Sequence, residues 1–366
     1  MLLTESLVRD VEAARGRGEI HARISPDLGR TVCEVAVHED GCTLGHERFV
    51  FPAKVRPRTI YHQIDGTWEP VSRFGTALYK LVPTDWGPPV FEIDGIKMLV
   101  SQSVSPLEDA RRKVALARVQ GEAVLDTCGG LGYFAVAALE QGARSITSFE
   151  KSEEVRWLRT VNPWSPAEDP RLHLTAGNVL DHLAALRSGG FGVILHDPPR
   201  FGIAGELYAR TVYAEFLRLL APEGRLFHYV GSPNRLTTGR DVPAEVARRL
   251  DAVGFARITM VGDGLLALFG ALENNPWQAL DDQEDAQPDH AVTRRLCHHR
   301  AGRVGRRQQG AHLRAEHCLR VSRGRKTSRL DIGFETWSKP SNYSNQSPSG
   351  ACRCARPPFP SPWASC

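Results

Sequence analysis

Residues 123–135, AVLDTCGGLGYFA, constrain this chain more than any other stretch, because they predict a buried strand running through a glycine-rich turn straight into a helix. Val124 and Leu125 are apolar β-formers. Gly129, Gly130 and Gly132 release the backbone for a tight turn, and from Tyr133 to Gln141 apolar residues recur at helical spacing. A ligand can then lie against main-chain N–H groups at a helix N-terminus. Such a turn opens nucleotide-binding α/β domains. Gly130-x-Gly132-x-x-Ala135 also fits the dinucleotide fingerprint, with Glu150 near the place of a ribose-binding acid, so the glycines alone leave two cofactor classes open.

A second element narrows the choice. Gly192 to Phe201, GVILHDPPRF, is a strand that ends in Asp197-Pro198-Pro199. Two prolines cannot continue a parallel ladder, so the chain leaves the sheet there and Asp197 stands at its carboxyl edge, where open α/β sheets bind ligands. Asp126 likewise ends the first strand with an acid. Around these two, strand patterns at about 123–127, 145–150, 172–176, 191–196, 225–230, 255–261 and 265–271 alternate with helix patterns at about 132–141, 152–160, 179–187, 204–220 and 241–252. Asp263-Gly264 separates the last two strands by a turn only, which predicts a hairpin and an antiparallel strand at the edge. A dehydrogenase half-sheet would not end in such a hairpin.

The run Asp126-Thr-Cys-x-Gly130-Leu-Gly132-Tyr133, with Asn162-Pro-Trp-Ser165, His196-Asp-Pro-Pro-Arg200-Phe, Ala204-Gly-Glu-Leu-Tyr208 and Phe227-His-Tyr-Val-Gly231, resembles class I S-adenosylmethionine-dependent methyltransferases. Within them it is similar to a group of predicted methyltransferases best known from archaea. The likeness spans roughly residues 78–272. It implies a Rossmann-like α/β fold and S-adenosyl-L-methionine as cofactor. It also implies that Asp126, Gly130, Gly132 and Tyr133 hold the methionine end, that Glu150 clamps the ribose hydroxyls, and that Asn178, where relatives often have Asp, accepts from the adenine amine.

The same resemblance gives the chemistry to the Asp-Pro-Pro turn. Asp197 and the carbonyls around Pro198 would accept hydrogen bonds from a target amine and aim its lone pair at the methyl group. Proximity of that kind is worth up to roughly 7–11 kcal/mol, so strong base catalysis is not required. Arg200 stands where many relatives have an aromatic, and a guanidinium can stack on a base or pair with a phosphate or carboxylate. Both a base and an acidic small molecule stay open as acceptors. His196 should point to the other side of the strand, as a buried histidine. Either His228 or Tyr229 should line the pocket, Trp164 and Tyr208 are candidate walls, and Cys128 reads as a small packing residue.

Three functions are open to these residues. The first is nitrogen methylation, with RNA the leading substrate class and a small molecule or protein close behind. Aminopropyl transfer is the second, for which a polyamine would need an acid-rich pocket. The third is an idle RNA-binding scaffold of the same fold. Carbon methylation of a pyrimidine would need a cysteine after Asp197, and none precedes the tail.

Upstream, Ser105-Pro106-Leu107-Glu108 predicts a capping box opening a helix, with Leu107, Ala110, Val114 and Ala117 on one face. Residues 1–104 form a mostly β module, with short alternating runs broken by Asp40-Gly41, Asp65-Gly66 and Asp94-Gly95; it would either place a substrate over the catalytic edge or cover the fold. The methyltransferase domain is expected over 105–273. From Asn274 onward 15 Lys and Arg face 8 Asp and Glu, a formal +7 that leaves −3 for the rest, and periodicity vanishes. That tail reads as an extension without selected structure, ahead of a basic disordered arm for RNA. Its Cys and His residues lack zinc-site spacing, so no metal is expected. With neither a membrane span nor a signal-peptide core, a cytoplasmic location and reduced thiols are expected. Oligomeric state is not inferable from the sequence.

Overall fold

In the computed structural model, which describes residues 1–231 and 241–270, a seven-stranded sheet carries the second half of the described chain. All described residues belong to one unit, Met1–Pro288. The basic tail from Asn274 lies outside the described residues.

The chain opens with α1 (Glu5–Gly16) and two four-stranded antiparallel sheets. One is formed by β1 (His21–Ile24), β2 (Cys33–His38), β3 (Gly41–Leu44) and β4 (Glu47–Val50). The hairpin of β5 (Tyr61–Ile64) and β6 (Thr67–Pro70) separates it from the other, formed by β7 (Ser72–Phe74), β8 (Leu78–Val82), β9 (Val90–Ile93) and β10 (Ile96–Lys97). The short alternating runs thus become hairpins, and Asp65-Gly66 and Asp94-Gly95 make two-residue turns with positive φ at both positions. This mostly β part shares a core with the seven-stranded sheet and its helices: Ile60, Leu81 and Phe91 belong to the same buried cluster as Val114, Val124 and Leu195.

The sheet then builds through α2 (Pro106–Ala117), β11 (Ala123–Asp126), α3 (Tyr133–Glu140), β12 (Ser145–Glu150), α4 (Glu153–Val161), β13 (Leu172–Ala176) and β14 (Phe191–His196). It continues with α5 (Arg210–Leu219), β15 (Leu220–Tyr229), α6 (Val242–Val253), β16 (Ala256–Val261) and β17 (Gly264–Leu268). The strand order is β13-β12-β11-β14-β15-β17-β16, with β17 antiparallel to both neighbours. This is the Rossmann-like seven-stranded arrangement expected, preceded by a β module. Its central strands are covered on both faces, as parallel strands must be: α2, α3 and α4 pack with Val124, Val193, Leu195 and Phe227, while α5 and α6 pack with Leu125, Ile194 and Leu226. Among the described residues no helix is long and apolar enough to cross a membrane.

Four local expectations are corrected. The antiparallel strand is not the edge strand. β17, GLLAL, is buried at every residue and takes the interior place between β15 and β16, whereas β16, ARITMV, alternates exposed and partly covered residues and takes the edge. The helix expected over 179–187 is two 3₁₀ turns, Val179–Asp181 and Leu183–Ala185, and the one expected over 204–220 is a 3₁₀ turn, Gly205–Tyr208, followed by α5. Ser105 does precede α2, but its side chain makes no capping bond; its carbonyl accepts from Asp109 N at 2.9 Å, and Glu108 pairs with Arg112 instead.

Candidate active site

Three adjacent strands deliver their carboxyl ends to one edge of the sheet. Asp126 ends β11, Glu150 ends β12, and Asp197 follows β14; β11 pairs with both of the others in parallel register. The sheet order therefore gathers residues that are far apart in sequence.

The turn after β11 needs its glycines. Gly132 sits at φ +87 directly before α3, and a Cβ there would come within 2.5 Å of Pro166. From behind, the buried guanidinium of Arg159 donates through Nε and Nη2 to the Gly130 carbonyl, at 3.0 and 2.7 Å. Burial lowers its pKa, opposed by Asp126 and Glu150. Across the turn, Gly130 N donates to Glu150 Oε2 at 2.9 Å, and Ser152 N donates to Oε1 at 2.8 Å. A carboxylate oxygen has a second acceptor site, so Glu150 is oriented by these bonds and not exhausted by them.

Asp126 is fully buried. Ser148 Oγ donates to its Oδ2 at 2.7 Å, while Oδ1 has no hydrogen-bond partner. Burial pushes its carboxyl up to about 6, opposed by the Ser148 hydroxyl and Arg159; the Cys128 main-chain N–H lies near enough to add to that opposition without making a hydrogen bond of ordinary geometry. Cys128 itself has a thiol pushed up by burial and stays protonated, in keeping with packing.

The side chains of two residues expected at the cofactor also have partners within the fold. Tyr133 is buried, donates to the Pro89 carbonyl at 2.7 Å and accepts from Asn162 Nδ2, so its ring ties α3 to the β module. Asn178 caps the 3₁₀ turn after it, its Oδ1 accepting from Leu180 N at 3.2 Å, which leaves one lone pair of that oxygen and the amide N–H groups for a ligand. Trp164, a candidate wall, also faces the β module, donating from Nε1 to the Leu28 carbonyl at 3.0 Å.

The Asp197 turn is braced from the opposite side of the sheet. His196 is fully buried, its Nε2 donating to the Leu207 carbonyl at 3.2 Å and its Nδ1 accepting from Thr127 Oγ1 at 2.6 Å. His228 donates from Nδ1 to the Tyr229 carbonyl and accepts at Nε2 from the Tyr213 hydroxyl at 2.9 Å. Burial drives both imidazoles toward the neutral form, His228 down to about 3. His196 is therefore the buried histidine foreseen, and of the pair at 228 and 229 it is Tyr229 that stands on the Asp197 side. Tyr208 is core as well; its hydroxyl donates to the Pro199 carbonyl at 3.1 Å and so fixes the turn.

Asp197 is half-buried and makes no hydrogen bond to a described residue; Pro198 is buried and Arg200 exposed. Burial pushes the Asp197 carboxyl up to about 7, opposed by Lys113 and reinforced by Asp109, Asp126 and Asp263. A carboxylate near neutrality with free lone pairs can accept an N–H and then a proton.

Arg159, Lys113, Asp109 and Asp263 were not foreseen as parts of this edge. A signal existed for the two cations. Lys113 falls in the apolar stripe of Ala110, Val114 and Ala117, and Arg159 in that of Val155 and Leu158; a charged residue at a stripe position must be buried with a partner.

No family model matches the chain. It is 41% identical over 208 residues to the uncharacterized protein MJ1233 of Methanocaldococcus jannaschii, a match that covers 56% of this chain and 71% of that one. Among solved structures it is similar to spermidine synthase from Thermotoga maritima, with 17% identity, 54% of this chain and 72% of that chain covered, and a TM-score of 0.44. It is also similar to an S-adenosylmethionine-dependent methyltransferase from Mesorhizobium loti, with 15% identity, 44% and 96% covered, and a TM-score of 0.31. The strand order of the chain itself, rather than these likenesses, carries the fold.

Proposed function

The chain belongs to the family of the Methanocaldococcus jannaschii protein MJ1233, and from its own site we propose that it is an S-adenosylmethionine-dependent methyltransferase that acts on nitrogen. RNA is the leading acceptor class, with a small molecule or protein amine close behind. The observation that carries this reading is the meeting, on adjacent strand ends, of a glycine turn braced by Glu150 and Arg159 with an Asp-Pro-Pro turn whose carboxylate is unbonded.

The residues fit the cofactor. Asp126 Oδ1 is a buried acceptor without a partner, the start of α3 offers main-chain N–H groups, and Glu150 is held facing the Gly130 turn with acceptor capacity to spare for vicinal hydroxyls. When bound, S-adenosylmethionine supplies an electrophilic methyl on a sulfonium. Asp197 would accept an N–H of the acceptor and fix its lone pair in line; as the nitrogen takes the methyl and the methyl–sulfur bond breaks, the nitrogen would give up that proton, which a carboxylate with a pKa of about 7 can receive. Tyr208 keeps the turn from drifting through Pro199. If the acceptor is a base in a helix, it must leave the stack to reach Asp197.

A second reading, aminopropyl transfer, is favoured by one observation: Asp109, Asp197 and Asp263 gather at the acceptor edge, as a cationic amine would require. Both readings are tested by incubating the full chain and Asp197→Ala with methyl-labelled S-adenosylmethionine, or with its decarboxylated form labelled in the aminopropyl group, and counting label in RNA, protein and small-molecule fractions. Methyl label in one fraction, reduced about 100-fold or more in Asp197→Ala, is expected. Aminopropyl label with no methyl label would replace the first reading by the second. Cofactor binding without any transfer would point to a scaffold, and equal label with Asp197→Ala would remove that residue from the chemistry.

A further inference from the structure

Beside the Asp197 turn lies a buried charge cluster that has no part in the contacts proposed for methyl transfer. Lys113 of α2 is 6% exposed. Its Nζ stands 2.7 Å from Asp109 Oδ2, 3.5 Å from Asp263 Oδ2 and 4.3 Å from the centre of the Tyr229 ring. The sheet register brings this cluster to Asp197. His196 of β14 pairs with His228 of β15, and the two rings meet on the α5 face with centroids 4.5 Å apart. Side chains alternate along a strand, so the next residue of each, Asp197 and Tyr229, turns to the α2 face. Lys113 therefore lies over the ring of the residue beside Asp197, brought there by three separate elements: α2, β15 and the β16–β17 turn.

We propose that Lys113 is a positioning residue of the acceptor site: its ammonium, pinned by Asp109 and Asp263 above Tyr229, is the fixed counter-charge that faces the Asp197 carboxylate as it receives the acceptor nitrogen. The inference rests on the role proposed for Asp197 as the acceptor's partner. The groups that face Asp197 are Lys113 and Asp109 from α2, Asp126 from β11, Cys128 from the glycine turn, Asp263 from the last hairpin, Tyr229 from β15 and Tyr208 from the loop before α5. One ammonium shared among Asp109, Asp197 and Asp263 cannot satisfy them all. Burial opposes the charge on Lys113, but Asp197, Asp109 and Asp263 together outweigh it, and its pKa stands above the ordinary value. Burial raises Asp109 despite its contact with Lys113. The lysine stays charged at every working pH, and the carboxylates divide its field. Loss of that field leaves Asp197 facing like charges in a buried setting, where it takes up a proton.

The test is a carbon-13 NMR titration of aspartate carboxyl groups in the full chain, with the Asp197 signal identified by its loss in Asp197→Asn, alongside the pH profile of methyl transfer. In Lys113→Met the Asp197 midpoint should rise by about one unit or more, and the acid limb of the profile should move with it. Lys113→Arg should restore both. Asp263→Asn, in a turn and partly exposed, should lower the midpoint while Asp109 still holds the lysine, and it serves if Lys113→Met does not fold. An unmoved midpoint in a folded Lys113→Met, or in Asp263→Asn, would overturn the proposal. Absence of any transfer by the wild type would instead overturn the proposed function, and the titration would still report whether Lys113 governs Asp197.

Discussion

At the scale of single residues, the site depends on carboxylates kept where water cannot reach them easily. Asp126 titrates near 6 in the folded chain against an ordinary 3.8, so the folded state holds its proton more tightly than the unfolded state does. Its ionisation therefore costs stability as pH rises from about 4 to about 7, on the order of 3 kcal/mol when complete. Asp126→Asn, compared with wild type by urea unfolding, should gain about 1 kcal/mol in relative stability between pH 5 and pH 8. The same variant should bind S-adenosylmethionine more weakly by calorimetry, because the partnerless oxygen is the one a ligand would use. A relative stability that does not change with pH would mean that the carboxyl is not held in its protonated form.

At the scale of elements, the place of β17 makes a prediction about order of opening. It is buried throughout and bonded on both sides, whereas β16 has one neighbour and exposed residues. Amide exchange should protect Leu266 and Ala267 far better than Ile258 and Met260, and the reverse ranking would contradict the strand order. The strand–turn–helix run at 123–135 is legible in the sequence because apolar pattern, glycines and strand-end acid all agree, and the same holds for Glu150 and Asp197. The interior place of β17 is not, since a hairpin turn fixes that two strands are antiparallel neighbours and says nothing about which of them meets the rest of the sheet. The 3₁₀ turns at 179–185 escape for a related reason: three or four apolar residues at helical spacing fit either helix, and Asn178 capping at Leu180 favours the tighter one. Lys113 and Arg159 look like solvated positions of amphipathic helices until their stripe neighbours are counted. Tyr133 is drawn to the cofactor by its place in a motif, while its partner Pro89 lies in a module that periodicity alone cannot dock.

At the scale of the whole molecule, groups of opposite sense set how stability varies with pH. His196 and His228 are held neutral, with folded pKa values below the ordinary 6.5, so the unfolded chain takes up protons first and stability is lost as pH falls below about 6.5. Asp126 and Asp197 work the other way across the same range. The wild type should therefore show a shallow net dependence, and the histidine contribution emerges by difference: His228→Gln should be less stable at pH 8, yet lose roughly 2 kcal/mol less than wild type between pH 7.5 and 5. Parallel curves in a pH series of melting experiments would show that His228 is not neutral in the fold. The β module adds to the histidine side of this balance through His62, whose pKa burial also lowers, and the core it shares with α2 and β11 is why its Pro89 can anchor a helix of the seven-stranded sheet.

The interior position of β17 bears on how the protein is made. A ribosome delivers the chain from its first residue onward, and domains begin to fold as they emerge. Here the strand that fills the gap between β15 and β16 is the last of the sheet to be synthesised, and Asp263, one of the two anchors of Lys113, arrives with it. A nascent chain can assemble β11 to β14 early, but the edge beside β15 stays open until β17 has emerged. The pinning of Lys113 between its two carboxylates thus coincides with closure of the sheet.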